Sequence, residues 1–350
     1  YRDIAMRTII LSFLTCLLLF CGAKAQNTTK MPPMVVVEQG SFLIGGTVTT
    51  DKQGNTYHAD HGYVFYQIPT NPRPYPLVFL HGIHQASKTW ESTPDGREGF
   101  QNIFLRQGFS TYNMTHPRRG NAGRSQEKAL VEPVFDEQIW YTKWRIGVYP
   151  DYFEGVQFPK DKESLEQFFR QITPNTGPMD FEVETDAIAA LFDKLGGAIM
   201  VAHSRGVMQT WKTIPKTENI KAVVAWEGGG FFSFPDDEPR PDIDVDEGIE
   251  YIMVSPDTFE RFTRIPMLLV YGDNIPEAKS NIPELDIWRI RLRLAKLWAA
   301  TVNRHGGDVT VIHLPEIGIY GNTHFPMSDL NNTKIAEIMA KWLERKGLNN

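Results

Sequence analysis

Ala202-His203-Ser204-Arg205-Gly206 is the stretch of this chain whose residue types and spacing could do chemistry most directly. The serine follows a buried-looking apolar run, Ala198-Ile199-Met200-Val201-Ala202, and precedes a helical pattern over 205–213. In that setting a serine can occupy a strained strand-to-helix turn that lifts its hydroxyl into the open. The turn needs small residues two places before and two places after, here Ala202 and Gly206, with alanine where glycine is usual. The chemistry such a serine serves is attack on an acyl carbon through a covalent intermediate. The same five residues also fit a plain helix N-cap at Ser204, so the reading depends on finding partners.

A serine hydroxyl is a poor nucleophile until a base takes its proton, and the base needs a carboxylate to orient it. Where the serine stands on such a strand-to-helix turn, these arrive in the order serine, acid, histidine. Of the nine histidines, His313 falls inside the last strand pattern and His305 closes a helix beside Gly306-Gly307. His324, in Gly321-Asn322-Thr323-His324 just past the last strand, is the expected base. Two carboxylates compete as the acid. Asp273 ends Leu268-Leu269-Val270-Tyr271-Gly272-Asp273, and Glu227 ends the preceding strand in Val224-Ala225-Trp226-Glu227-Gly228. The residues alone slightly favour Asp273, and either could be an ordinary turn residue. The developing oxyanion needs backbone N–H donors. These are expected from Arg205 and from Ile83 or His84, after the turn His81-Gly82. His81, His84 and His203 also gather near this site, but without metal-ligand spacing, so no metal and no cofactor is expected.

The elements that must carry these residues follow from periodicity. Strand-like sequence covers 34–39, 41–49, 62–68, 76–80, 198–202, 221–226, 266–271 and 309–314. The first two of these read as one strand or a hairpin. Helical patterns cover 99–107, 181–194, 205–213, 287–303 and 334–345. Strands alternating with helices imply an α/β fold, a mostly parallel central sheet with helices on both faces. Chemistry then belongs beyond the carboxyl ends of the strands. Residues 125–178 break the alternation and read as an inserted cap rich in aromatic rings. Trp140, Trp144 and Tyr149 in the cap, with Trp226 beside Glu227, are the candidate pocket residues for an aromatic or cyclic group. Each ring could equally serve only to pack the cap onto the core. The acidic run Asp236, Asp237, Glu238, Asp242, Asp244, Asp246 and Glu247 lacks a calcium-loop pattern and reads as a solvated loop.

With 350 residues, 41% of them hydrophobic, the chain can bury a sizeable core. A net charge of -6 argues against a nucleic-acid partner. Met6-Arg7, the apolar run 9–20 and Ala23-Lys24-Ala25 read as a signal peptide cleaved before Gln26, with 1–5 upstream of the start. The run is short for a membrane span, so no stable membrane insertion is expected after cleavage. Both cysteines, Cys16 and Cys21, lie in this leader, which leaves a mature chain of 26–350 without a thiol. Export without disulfides suits a bacterial periplasm or exterior.

Beyond these readings the chain resembles a family of exported bacterial α/β-hydrolase esterases, noted for cleaving esters of halogenated cyclic compounds. The resemblance runs through Leu80-His81-Gly82, blocks 89–97, 104–112 and 119–125, the serine motif, block 265–273, and Gly318-Ile319-Tyr320-Gly321-Asn322-Thr323-His324. It implies an α/β-hydrolase fold and a small-molecule ester substrate. It also implies a homodimer and a Ser-Glu-His set of Ser204, Glu227 and His324, so it moves the choice of acid from Asp273 to Glu227. Some members carry two adjacent cysteines after His-Gly, where this chain has Ile83 and His84. An amidase or peptidase would use the same three residues, and a ligand-binding relative with weak activity would share the fold.

Overall fold

The computed structural model describes residues 32–243 and 251–350. The leader, with its two cysteines, and Asp244, Asp246 and Glu247 of the acidic run lie outside the described residues. Val35–Asn350 forms one unit, and the description below concerns it.

Its strands, in chain order, are β1 (Val36–Thr50), β2 (Thr56–Pro69), β3 (Leu77–Leu80), β4 (Thr111–Thr115), β5 (Gly147–Val148), β6 (Asp151–Tyr152), β7 (Ala198–His203), β8 (Ile220–Trp226), β9 (Phe232–Pro235), β10 (Tyr251–Val254), β11 (Met267–Tyr271) and β12 (Val309–His313). Eight make the central sheet, in the order β1-β2-β4-β3-β7-β8-β11-β12. β1 and β2 form a long antiparallel hairpin, β2 pairs antiparallel with β4, and every pairing from β4 to β12 is parallel. The stretches 34–39 and 41–49 thus belong to a single strand whose hairpin partner is β2.

The parallel strands read as unbroken apolar runs because both faces are covered. Their alternation sends Val78, Leu80, Met200, Ala202, Val223, Ala225 and Leu269 to one core. It sends Leu77, Phe79, Ile199, Val201, Ala222, Val224, Leu268 and Val270 to the other. All of these are at most 1% exposed. Helices Phe181–Leu195, Arg205–Thr213 and Pro283–Arg304 contribute to the first core, and Phe100–Arg106 and Asn332–Arg345 to the second. Asp180 starts the first of these by accepting from the backbone N–H groups of Glu182 and Val183, and Gly196 ends it at φ 70°.

Between β4 and β7 the stretch expected to be a cap contains helices Glu137–Lys143 and Lys162–Arg170 and the small β5–β6 ribbon. The acidic excursion holds β9, which pairs with β10, followed by helix Pro256–Thr263. Its Glu238 meets Arg304 and, at 2.6 Å, His305, so this carboxylate serves to fasten a helix end. No helix among the described residues is long and apolar enough to cross a membrane.

Candidate active site

Ser204 stands between β7 and the helix it opens, with φ 54° and ψ −117°. A left-handed φ is costly for a residue with a Cβ, and such outliers concentrate where function requires them. Ser204 occupies the N-cap position of that helix, but its side chain makes no capping hydrogen bond to it. The turn is tight on both sides. A Cβ at Gly206 would lie 2.8 Å from the His81 carbonyl oxygen, and one at Gly82 would lie 2.9 Å from Ser204 Cβ. Gly82 therefore brings the following loop directly against the serine.

His324 Nδ1 lies 3.3 Å from Glu227 Oε2. The carboxylate accepts, so the ring proton sits on Nδ1 and Nε2 is left bare. His324 is 1% exposed, and its pKa lies well below the usual histidine range. Burial is the main cause, followed by the positive charges of Arg145, Arg291 and Lys143. The backbone fixes the ring from two sides. Its own N–H donates to the Trp144 carbonyl at 2.9 Å, and its carbonyl accepts from His203 Nε2 at 2.8 Å.

Glu227 follows β8 at a left-handed φ of 57° and is fully buried. It accepts from the Gly272 backbone N–H and, at 2.6 Å, from Arg145 Nη2. Asp273 does something else. Its Oδ2 accepts from the Gly321 N–H at 2.6 Å and its Oδ1 from the Asn274 N–H at 2.7 Å. It pins the loop that carries His324 and makes no hydrogen bond to the imidazole. Asp273, slightly favoured from the residues alone, thus has both oxygens taken by backbone amides, whereas Glu227 meets the imidazole.

The backbone N–H groups of Ile83, His84 and Arg205 donate to no group among the described residues, and Gly82 holds the first two beside Ser204. His84 takes a left-handed φ of 58°. Arg119, nearly fully buried, donates to the Gln85 carbonyl at 3.2 Å and reaches the Gly82 carbonyl at 3.5 Å, strapping this loop in place. His81 and His116 meet edge to face at 4.1 Å, and the His116 backbone N–H donates to His81 Nε2.

The four pocket candidates separate. Trp140 is half-buried and packs edge-on against His84 at 4.6 Å, and Tyr149 is exposed. Trp144 is 1% exposed and Trp226 is 0% exposed. Trp144 packs against Phe168 and Phe325, and Trp226 against Phe100. Both are corrected from pocket residues to core residues, since side chains sealed by their neighbours cannot meet a ligand. A groove of about 820 Å³ lined by Ile275, Leu292, Lys296 and Tyr320 among others includes neither Ser204 nor His324.

Two neighbours of the histidine were not anticipated. Trp288 packs tilted against the His324 ring at 4.5 Å, and Arg145 and Arg291 lie over the same indole at 4.4 and 4.5 Å. Arg145 did leave a trace in the sequence, a charge set between Trp144 and Ile146, where a buried partner is required.

No known protein-family model matches the chain. It is 25% identical over 330 residues to a probable secreted lipase, phiG, of a fungal species, covering 84% of this chain and 88% of that one. A solved structure described as that of a novel bacterial esterase superposes with a TM-score of 0.74 at 28% identity, covering 91% of this chain and 98% of its own. With its mostly parallel sheet and a serine turn after β7, the chain is an α/β-hydrolase.

Proposed function

We propose that this carboxylic ester hydrolase is an exported serine esterase that forms its acyl-enzyme on Ser204. The observation that carries the reading is the strained backbone of Ser204, φ 54° and ψ −117°, facing the free amides after Gly82. The bonded pair His324–Glu227 would supply the base, its imidazole 4.6 Å from the ring of His203, the residue before Ser204. In the reaction, Ser204 Oγ bonds to the acyl carbon while its proton passes to His324 Nε2. The carbonyl oxygen becomes an oxyanion facing the N–H groups of Ile83 or His84 and of Arg205. Collapse of that intermediate expels the alcohol, which takes the proton from His324. Water then attacks the acyl-enzyme, gives its proton to His324, and Ser204 regains it as the acid product leaves. Glu227 holds the ring and balances its transient positive charge. Ser204 Oγ has no hydrogen-bond partner among the described residues, and such contacts commonly tighten only with substrate bound.

A cyclic or aromatic ester group suits the half-buried face of Trp140 beside His84. Export is supported by the leader pattern ahead of Gln26 and by the fungal relative being described as secreted. Treatment with a fluorophosphonate probe and peptide mapping tests the nucleophile. Label on the peptide containing Ser204, absent in Ser204→Ala, is expected. Label elsewhere, or undiminished in the variant, would refute the assignment.

A further inference from the structure

Three consecutive cap residues touch the catalytic machinery. The Lys143 carbonyl accepts from Trp288 Nε1 at 2.7 Å, and the Trp144 carbonyl accepts from the His324 N–H at 2.9 Å. Arg145 Nη2 donates to Glu227 Oε2 at 2.6 Å, the same oxygen that meets His324 Nδ1. Arg145 Nε donates to the Asp273 carbonyl at 2.8 Å, and the guanidinium lies 4.4 Å over the Trp288 ring, which also contacts the His324 ring. Arg145 and Glu227 both have fully buried side chains. A buried charge without a partner is strongly unfavourable, so each of these two makes the other possible. Arg145 holds its place at a left-handed φ of 58°, a cost for a non-glycine residue.

Resting on the serine-esterase reading, we propose that Arg145 is a fourth, positioning member of the catalytic set. It is supplied by the cap, fixes the Glu227 carboxylate, and sets the pH at which the His324–Glu227 pair takes up a proton. A cation bonded to the carboxylate opposes protonation of the pair, whichever member would hold the proton. It thereby keeps the base free to accept at mildly acid pH. The other groups facing the pair do not substitute for it. Arg291 and Lys143 act on His324 from helix Pro283–Arg304 and from the cap, but neither hydrogen-bonds Glu227. His203 spends its Nε2–H on the His324 carbonyl. Tyr271 donates to the Gly228 carbonyl, Asp329 accepts from Asn322 and Thr323, and His313 pairs with Glu316.

The test is the pH dependence of kcat/KM for a p-nitrophenyl ester with wild type, Arg145→Met, Arg145→Lys and their combinations with Glu227→Gln. Arg145→Met should move the acid limb upward by about one to three pH units, the size of a lost neighbouring charge. Below the limb this is a loss of about tenfold per unit. Arg145→Lys keeps the charge but not the forked contact, so its limb should stay near wild type while kcat falls. In the Glu227→Gln background either change should cost less than about threefold, because the partner is gone. An Arg145→Met limb that coincides with wild type overturns the proposal. Should Arg145→Met fail to fold, additivity of Arg145→Lys with Glu227→Gln overturns it, as does a wild-type limb at or above about 6.5, the free histidine value. Turnover that survives Ser204→Ala removes the serine-esterase reading itself. Ser204-dependent turnover with an unmoved limb removes only the role of Arg145.

Discussion

The chemistry rests on few atoms, and at that scale the two carboxylates make different predictions. Glu227→Gln removes the acceptor that fixes the His324 tautomer and should lower kcat by about 10³- to 10⁴-fold, and it also lowers stability because Arg145 stays buried without its counter-charge. Asp273→Asn loosens the loop that begins at Gly321, so it should cost about 1–3 kcal/mol of stability and less of kcat. Steady-state kinetics alongside urea unfolding separates them, and a larger kcat loss in Asp273→Asn would reverse the assignment. Ser204 and His324 were legible as candidates because one follows the apolar run of β7 and the other lies in the loop beyond β12, settings that spacing alone suggests. The acid was not, since Glu227 and Asp273 end neighbouring strands, each followed or preceded by glycine. The contact of Glu227 with His324 and the backbone amides that occupy Asp273 tell them apart. Arg145 went unread because its partner lies 82 residues away.

Elements decide whether those atoms meet. The turn between β7 and helix Arg205–Thr213 leaves no room at Gly82, where an added Cβ would press on Ser204 at 2.9 Å. Gly82→Ala should therefore lower kcat/KM by about 10²-fold through misplacement while the protein still folds. Near-wild-type kinetics in a folded Gly82→Ala would mean that the loop does not position the nucleophile. In the cap, Trp144 and Trp140 should behave as opposites. Trp144→Ala empties a core site against Phe168 and Phe325 and should cost about 3–5 kcal/mol in urea unfolding. Trp140→Ala should leave stability nearly intact and change the ranking of ester substrates, and an unchanged ranking would remove Trp140 from the pocket. The parallel strands were readable because unbroken apolar runs between turn residues have few other uses. Helix Lys162–Arg170 was not, because its apolar residues Leu165, Phe168 and Phe169 lie among charges inside an aromatic, proline-rich segment. Helix Pro256–Thr263 was hidden likewise, in the irregular stretch that follows the acidic run.

Across the whole molecule, burial of histidines couples stability to pH. His81, His203 and His324 are held well below the usual histidine range and His116 at about 3, burial being the main cause in each. The unfolded chain protonates these rings below about pH 6.5 and the folded chain does not. The unfolded state therefore binds more protons as pH falls, and stability present above pH 6.5 is lost progressively below it. Asp329, pushed up to about 7 by burial, acts in the opposite direction between its ordinary 3.8 and that value, but it is one group against four. Thermal melts should show a lower Tm at pH 5 than at pH 7.5. A flat or rising Tm toward pH 5 would contradict the neutral, buried state of these rings. Expression with the leader should yield a mature chain that begins at Gln26, which N-terminal sequencing reads directly.

The central claim, that Ser204 carries the acyl group, is tested most directly by hydrolysis of short- and long-chain p-nitrophenyl esters by wild type and Ser204→Ala. The account predicts turnover by wild type and its loss, by about 10⁶-fold at the chemical step, in a variant with an unchanged fold. Equal turnover by the two proteins would contradict it, as would a wild type that binds these esters and cleaves none.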